Sequence, residues 1–193
     1  YNPARETERP TPLAETISTI FDYDATQVTE HHFTGEAVFA YRQRAQQLWI
    51  NMDGVKKDEV ERLCAQYNIH PLVVEDVLSV GQRAKMDEIG DIVFCLLPML
   101  YFNAEAGAVE TEQVSIVVGD HFLISFQEDA LRDVFDPVRE RLRNGNVRLR
   151  SSGTDYLAYS LLDVIVDSYF SVIEALAGCI EDLEDELILG RDR

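Results

Sequence analysis

The feature that most constrains the fold is a long helical pattern near the end of the 193-residue chain. Between residues 154 and 189, apolar residues recur every three or four positions and form one stripe, which is typical of an amphipathic helix. At about 1.5 Å per residue, an unbroken helix of this length would measure about 54 Å. The expected radius of gyration of a domain this size is only about 16 Å. We therefore expect part of the helix to project, or to pack against another segment.

Acidic residues follow the opposite side of the same predicted helix. Spacings of four and seven positions place five carboxylates in one narrow stripe: Asp163, Asp167, Glu174, Glu181 and Asp185. Residues 151–190 include nine acidic residues and no lysine or arginine, so no ion pair within the helix can relieve the repulsion. Most charged stripes are only solvated surfaces, but carboxylate oxygens are also the ligands that Mg²⁺ and Ca²⁺ prefer. The stripe is a candidate metal-binding face.

The charge of the whole chain favours cations as partners. Its 35 acidic and 17 basic residues give a formal net charge of −18. Such a surface repels phosphate backbones, so we expect no nucleic-acid partner, and it concentrates cations. Adaptation of the host to high salt would produce a similar composition. The one basic cluster, six arginines between residues 132 and 150, is expected to pair with acidic surface on this chain or on a neighbour.

Motifs for catalysis or nucleotide binding are absent from the sequence. It contains no phosphate-binding loop, no Gly-x-Gly-x-x-Gly fingerprint, no His-x-x-x-His pair and no Gly-x-Ser-x-Gly elbow. The longest apolar run, residues 92–102, is too short to cross a bilayer, which requires about 20 residues. We therefore predict that the chain is not an enzyme and that this part of it does not span a membrane.

The remaining pattern predicts a strand-rich half that passes into a helical half. Residues 1–12 are polar and hold three of the six prolines, so we expect a loose N-terminal segment, followed by a single domain over residues 13–193. Strands are predicted between 13 and 34 and at 48–54, 92–101, 113–118 and 121–127. Helices are predicted at 57–67, from Pro71 to about 80, and from Asp136 to about 143. His70, which precedes Pro71, is predicted to be a turn or capping residue.

Two neighbouring stretches resemble the signature of CorA magnesium channels. The run His70-Pro71-Leu72-Val73-Val74-Glu75-Asp76 resembles the family's His-Pro-Leu-x-x-Glu-Asp motif, and Gln82-Arg83-Ala84-Lys85 resembles its Gln-Arg-x-Lys motif. Shorter similar stretches follow in the same order at 112–115, 126–128, 134–141 and 155–163. The resemblance covers about residues 48–189.

This resemblance implies a specific architecture. The expected fold class is α/β, with a mixed β-sheet between helical layers (an α/β/α sandwich) that ends in the long amphipathic helix. The resemblance also implies a stalk, two transmembrane helices and a Gly-Met-Asn pore motif beyond residue 193. The chain is then expected to be a cytoplasmic fragment of a homopentamer, attached to the cell membrane only through that C-terminal part.

The resemblance further implies regulatory metal sites between protomers. By motif position, Asp76 looks like the carboxylate of one site, while Glu75 and Asp163 look like ligands of a second site. Asp167, one turn after Asp163, is a weaker candidate. The expected ion is Mg²⁺, with Co²⁺ or Ca²⁺ as substitutes, and the expected role is to sense Mg²⁺ and gate the pore. Two alternatives stay open: a zinc transporter of the same superfamily, and a stand-alone acidic module that binds a basic partner.

Overall fold

The fold is taken from a computed structural model that describes residues 15–129 and 132–190. The predicted loose segment at residues 1–12 lies outside these residues. The described strands are β1 (Ile17–Tyr23), β2 (Val28–Thr34), β3 (Gln47–Asp53), β4 (Lys85–Ile89), β5 (Ile92–Asn103), β6 (Ala108–Val118) and β7 (Phe122–Gln127). The described α-helices are α1 (Lys57–Gln66), α2 (Pro71–Leu78), α3 (Asp136–Arg143), α4 (Val147–Ser151) and α5 (Thr154–Gly190), and a 3₁₀ helix spans Gly35–Ala40.

The seven strands form one mixed sheet in the order β2-β1-β3-β7-β6-β5-β4. All neighbours are antiparallel except β3 and β7, which run parallel from the Leu48–Phe122 pair to the Asp53–Gln127 pair. Parallel neighbours require a crossover connection, and here the chain leaves β3 through α1 and α2. Every residue of β3 is buried, because helices cover both faces of the sheet at its centre.

The helices form two layers, which confirms the predicted α/β/α sandwich. On one side, the α1–α2 face, α1 and α2 bury Val60, Leu63, Val73 and Val77 against the sheet. On the other side, the α5 face, α3, α4 and the first half of α5 bury Leu142, Leu149, Leu157 and Leu161. The two faces contribute to separate hydrophobic clusters, because successive side chains of a strand point to opposite sides.

Helix α5 is unbroken over its 37 residues, which confirms the predicted long helix. Leu157, Leu161 and Ile165 are fully buried against the sheet. After Val172, most large apolar side chains of the helix are exposed: Ile173, Leu176, Ile180, Leu183, Leu187 and Ile188. The second half of α5 therefore extends beyond the sheet, as its length led us to expect.

The sequence predictions missed one strand and the beginning of another. Strand β4 was not predicted, because its mostly exposed residues show no alternation of apolar and polar side chains. It lies at the edge of the sheet, where it pairs only with β5. Strand β6 begins at Ala108 rather than at Gln113, because β5 continues to Asn103 and pairs with it along its whole length. In both cases the strand is defined by pairing with a distant segment, which local hydrophobicity does not encode.

The turn between β6 and β7 requires a glycine at its close approach to an aromatic ring. A Cβ at Gly119 would lie 2.3 Å from the Phe122 Cε1, and the Phe122 ring packs 4.7 Å from the Tyr67 ring. We expect Gly119→Ala to lower the free energy of unfolding by about 1–3 kcal/mol, because the ring must move out of a packed position. Denaturant unfolding measures this.

Gly178→Ala is the matched control for that substitution. Among the described residues, no atom other than those of the adjacent residues and of the helix backbone lies within 4 Å of a Cβ at Gly178, which is inside α5. Alanine is favoured over glycine in helices by up to about 1 kcal/mol, so this variant should be slightly more stable than the wild type. Equal effects of the two substitutions would contradict the role assigned to the turn.

Candidate metal centre

The first two candidates lie on α2, whose start is defined by its capping residues. His70 has extended backbone angles, and its Nδ1 accepts a hydrogen bond from the Leu72 N–H at 3.2 Å. Pro71 occupies the first turn, where a missing N–H costs nothing. The prediction that His70 is a capping residue is therefore confirmed.

Asp76 is held at both its backbone and its side chain. Its carbonyl accepts hydrogen bonds from Gln113 Nε2 at 3.2 Å and from Gln82 Nε2 at 3.4 Å. Its carboxylate Oδ2 lies 2.6 Å from the Lys85 Nζ, at the start of β4. Gln82 and Lys85 of the Gln-Arg-x-Lys stretch therefore both contact Asp76 near the end of α2, where they help to fix the position of its carboxylate.

Glu75 is directed away from the core. Because Val73 and Val77 are buried against the sheet, the helical period leaves Glu75 exposed. It borders an open groove of about 600 Å³ between α1 and α2. Its backbone carbonyl accepts hydrogen bonds from the N–H and the hydroxyl of Ser79, which end the helix. The Glu75 carboxylate is thus presented on the outer surface of the α1–α2 layer.

The other two candidates lie on α5, one turn apart. Leu161 and Ile165 are fully buried, so Asp163 and Asp167 lie on the solvent side of the same helical segment, and both are exposed. The remaining members of the acidic stripe, Glu174, Glu181 and Asp185, are exposed as well. The predicted separation of acidic and apolar stripes is confirmed in this part of α5.

The four candidates do not meet within one copy of the chain. Glu75 and Asp76 belong to the layer on the α1–α2 face, whereas Asp163 and Asp167 belong to the layer on the opposite face of the sheet. Across residues 15–129 and 132–190, no group of three or more His, Cys, Asp or Glu side chains is arranged to hold a metal ion. One ion could contact both Glu75 and Asp163 only if a second copy supplied one of them.

Three of the six arginines in the cluster pair with acidic residues of their own chain, as predicted. The pairs are Arg132 with Glu110, Arg139 with Asp133, and Arg143 with Glu30. Arg143 also contacts Glu140 at 2.7 Å. These contacts compensate the charges of Arg132, Arg139 and Arg143 within the fold.

A buried polar network on the α5 face was not predicted from the sequence. The Trp49 Nε1 donates to Ser125 Oγ at 2.9 Å, and Ser125 Oγ donates to Asn51 Oδ1 at 2.6 Å. Asn51 Nδ2 donates to both carboxylate oxygens of Asp53, at 3.0 and 3.1 Å. The signal that could have revealed it is the spacing of two, which places Asn51 and Asp53 on the same side of β3 as Trp49.

Asp53 is the most strongly perturbed carboxyl group of this network. Burial raises the pKa of Asp53 to about 7, and the nearby Asp133 carboxylate adds to the rise. The Asn51 hydrogen bonds and the Arg139 guanidinium oppose this shift. Glu112, also on this face, has its pKa raised mainly by burial. The network can therefore take up a proton at Asp53 near neutral pH.

Comparisons with known proteins agree on one class of fold. The soluble domain of CorA from Methanocaldococcus jannaschii superposes with a TM-score of 0.65 at 16% identity, covering 93% of this chain and 67% of that chain. The ZntB cytoplasmic domain from Vibrio parahaemolyticus superposes with a TM-score of 0.59 at 15% identity, covering 87% of this chain and 63% of that chain. At these identities the likeness shows the fold alone.

Sequence comparisons identify the family. The model of the CorA-like Mg²⁺ transporter protein family matches residues 44–193. The chain is also 37% identical over 171 residues to the cobalt/magnesium transport protein CorA of Thermotoga maritima, which covers 88% of this chain and 48% of the relative. The chain therefore belongs to the CorA-like Mg²⁺ transporter family, and it spans about half the length of that relative. Among the helices that the structure describes, none combines the length and the apolar character of a membrane-spanning segment.

Proposed function

We propose that this chain is the cytoplasmic regulatory domain of a magnesium and cobalt channel, and that it senses Mg²⁺ through carboxylates between protomers. Family membership supports the proposal, as does the 37% identity to a protein named for cobalt and magnesium transport. The net charge of −18 supports it too, because such a surface attracts divalent cations. In this proposal the whole protein is a homopentamer, and its membrane part lies outside this chain.

The observation that carries the proposal is the location of the candidate ligands on opposite layers. A site that includes Glu75 and Asp163 needs two copies of the chain, because the sheet separates these residues within one copy. A second copy that places its α5 beside the α2 of the first copy would bring the carboxylates together. Metal binding would then depend on how neighbouring protomers are arranged, which is what a gating mechanism requires.

The physical basis of the mechanism is charge compensation. Mg²⁺ retains several water molecules and needs only one or two direct carboxylates, so Asp76, or Glu75 with Asp163, is a sufficient ligand set. A bound ion offsets the repulsion between acidic surfaces of adjacent copies and stabilises the arrangement that binds it. When Mg²⁺ is scarce, the repulsion returns and the protomers separate. In this proposal, low cytosolic Mg²⁺ opens the pore.

The proposal predicts that neutralising the candidate ligands weakens inhibition by cytosolic Mg²⁺. In the natural full-length protein, Asp76→Asn or Asp163→Asn should raise the Mg²⁺ concentration for half-inhibition of ion uptake by at least about tenfold, because a ligand is lost. Asp167→Asn should have a smaller effect. The measurement is uptake into proteoliposomes at several internal Mg²⁺ concentrations.

Asp182→Asn serves as the control for these variants. It removes the same charge from an exposed position on α5 that is not a candidate ligand. Its half-inhibition concentration should stay close to the wild-type value. Unchanged inhibition in both Asp76→Asn and Asp163→Asn would argue against the proposed sites, and a monomeric full-length protein that is indifferent to Mg²⁺ would favour the stand-alone binding module.

Zinc transport is the second candidate function. The observation in its favour is the shared fold with the ZntB cytoplasmic domain, at a TM-score of 0.59. All four candidate ligands are carboxylates, which favours Mg²⁺ as the regulatory ion, because zinc sites in proteins are usually rich in histidine and cysteine; these residues do not select the transported ion. Uptake by the same proteoliposomes of Mg²⁺, Co²⁺ and Zn²⁺ in separate assays distinguishes the two functions.

A further inference from the structure

The carboxylate of Asp76 already contacts a cation of its own chain. The Lys85 Nζ lies 2.6 Å from the Asp76 Oδ2, and only 31% of the lysine side chain and 21% of the aspartate side chain are exposed. Solvent therefore screens this pair less than it screens an exposed pair such as Lys57 with Glu61, whose charged atoms are 3.8 Å apart.

The fold holds both partners in this position. The Asp76 backbone is anchored at the end of α2 by the side chains of Gln82 and Gln113. The Lys85 Nζ lies 5.8 Å from the centre of the Phe94 ring and 3.8 Å from the Asp87 Oδ2. Because a lysine has a flexible four-carbon stem, Lys85 is the partner that can move away without a change in the backbone.

A divalent ion on Asp76 would encounter this ammonium group. Mg²⁺ binds carboxylate oxygens at about 2.0–2.1 Å, so an ion on the Asp76 Oδ2 would lie within about 5 Å of the Lys85 Nζ. Two positive charges at that separation repel each other, and the partial burial of the pair strengthens the repulsion. Simultaneous contact of Mg²⁺ and Lys85 with the Asp76 carboxylate is therefore unfavourable in free energy.

We propose that Lys85 is an internal competitor that sets the Mg²⁺ concentration at which Asp76 is occupied. This inference rests on the proposed function, because it takes Asp76 as a metal ligand. In the metal-free protein, Lys85 compensates the charge of Asp76 and keeps α2 joined to β4. Mg²⁺ must displace the ammonium group, which weakens binding and shifts the response to higher concentrations. A sensor needs such weak binding, because its site must empty when the ion becomes scarce.

The test is to measure Mg²⁺ binding to the natural full-length protein by titration calorimetry. Lys85→Met should lower the half-saturating Mg²⁺ concentration by about tenfold, because the competing charge is gone while the side-chain length is kept. Lys57→Met is the matched control, since it removes the same charge from an exposed position. It should change the half-saturating concentration less than twofold. Lys85→Arg retains a cation and should bind Mg²⁺ no more tightly than the wild type.

Asp76→Asn separates the failure of this inference from the failure of the proposed function. If Asp76→Asn weakens Mg²⁺ binding but Lys85→Met binds no more tightly than Lys57→Met, Asp76 remains a ligand and the competition is refuted. If Asp76→Asn leaves binding unchanged, the metal site itself is misplaced. In the double variant Lys85→Met with Asp76→Asn, the gain in affinity should disappear. Persistence of that gain would also overturn the inference.

Discussion

Replacing Arg139 with leucine is expected to lower the free energy of unfolding by about 3–5 kcal/mol. The Arg139 residue is only 5% exposed and pairs with Asp133 beneath the α3 helix. It also contacts Asp136 at 3.0 Å, and its guanidinium carbon lies 5.6 Å from the Trp49 ring centre. Leucine fills part of the volume but leaves the Asp133 carboxylate without this compensation, beside the buried Asp53. Urea unfolding, followed by the fluorescence of the single tryptophan, measures the loss.

Two further variants test whether the loss arises from the uncompensated charge. In a double variant, Asp133→Asn should restore part of the stability lost in Arg139→Leu, because the charge without a partner is removed while an oxygen acceptor for the Phe135 N–H is kept. Arg148→Leu removes an exposed arginine whose guanidinium carbon is 4.9 Å from the Tyr156 ring centre, and it should cost about 1 kcal/mol or less. Equal losses in Arg148→Leu and Arg139→Leu would contradict the assigned role.

The parts of the fold predicted from the sequence are those defined by local periodicity or capping. The stripe of α5 and the Pro71 start of α2 both carry their signal within a few neighbouring residues. Strand β4 carries no such signal, because its place in the sheet depends on backbone pairing with β5. The resemblance to a family supplied the layer order that periodicity alone did not contain.

The candidate site follows the same division. Motif similarity suggested Glu75 and Asp76 as candidates, and the helical period indicated that Asp163 faces away from the core. The contact between Asp76 and Lys85 joins α2 to β4 across nine positions of sequence, and it could not be inferred without the strand. The Asp53 network was missed for another reason: a polar residue on a strand is usually read as solvent-facing, and only the packing of α3 and α5 shows that this position is buried.

Asp53→Asn is expected to stabilise the protein at neutral and alkaline pH but not in mild acid. Burial raises the pKa of the Asp53 carboxyl from about 3.8 in the unfolded chain to about 7 in the folded one. Between about pH 4 and pH 7 the folded protein therefore holds a proton that the unfolded chain has lost. The protonated Asp53 carboxyl therefore makes its full contribution to the free energy of unfolding below pH 4. This contribution falls as the pH rises through this window, and it is lost above pH 7.

The size of the effect follows from the displaced pKa. Ionising Asp53 in the folded state costs at most about 4 kcal/mol, so Asp53→Asn should raise the free energy of unfolding by about 2–4 kcal/mol at pH 8 and by little at pH 4. The Asn51, Asp133, Arg139 and Glu112 side chains surround the group and are unchanged by the substitution. Urea unfolding at both pH values, with the metal chelated, measures the difference between variant and wild type.

Asp182→Asn distinguishes this effect from a general relief of negative charge. It removes one charge from the same acidic chain, but at an exposed position on α5. Its effect on stability should be small and nearly equal at pH 4 and pH 8, because water solvates that carboxylate in both the folded and unfolded chains. If Asp53→Asn behaved in the same way, Asp53 would have to be ionised in the folded protein without penalty. The network would then be an ordinary set of hydrogen bonds, without the proton uptake inferred from its burial.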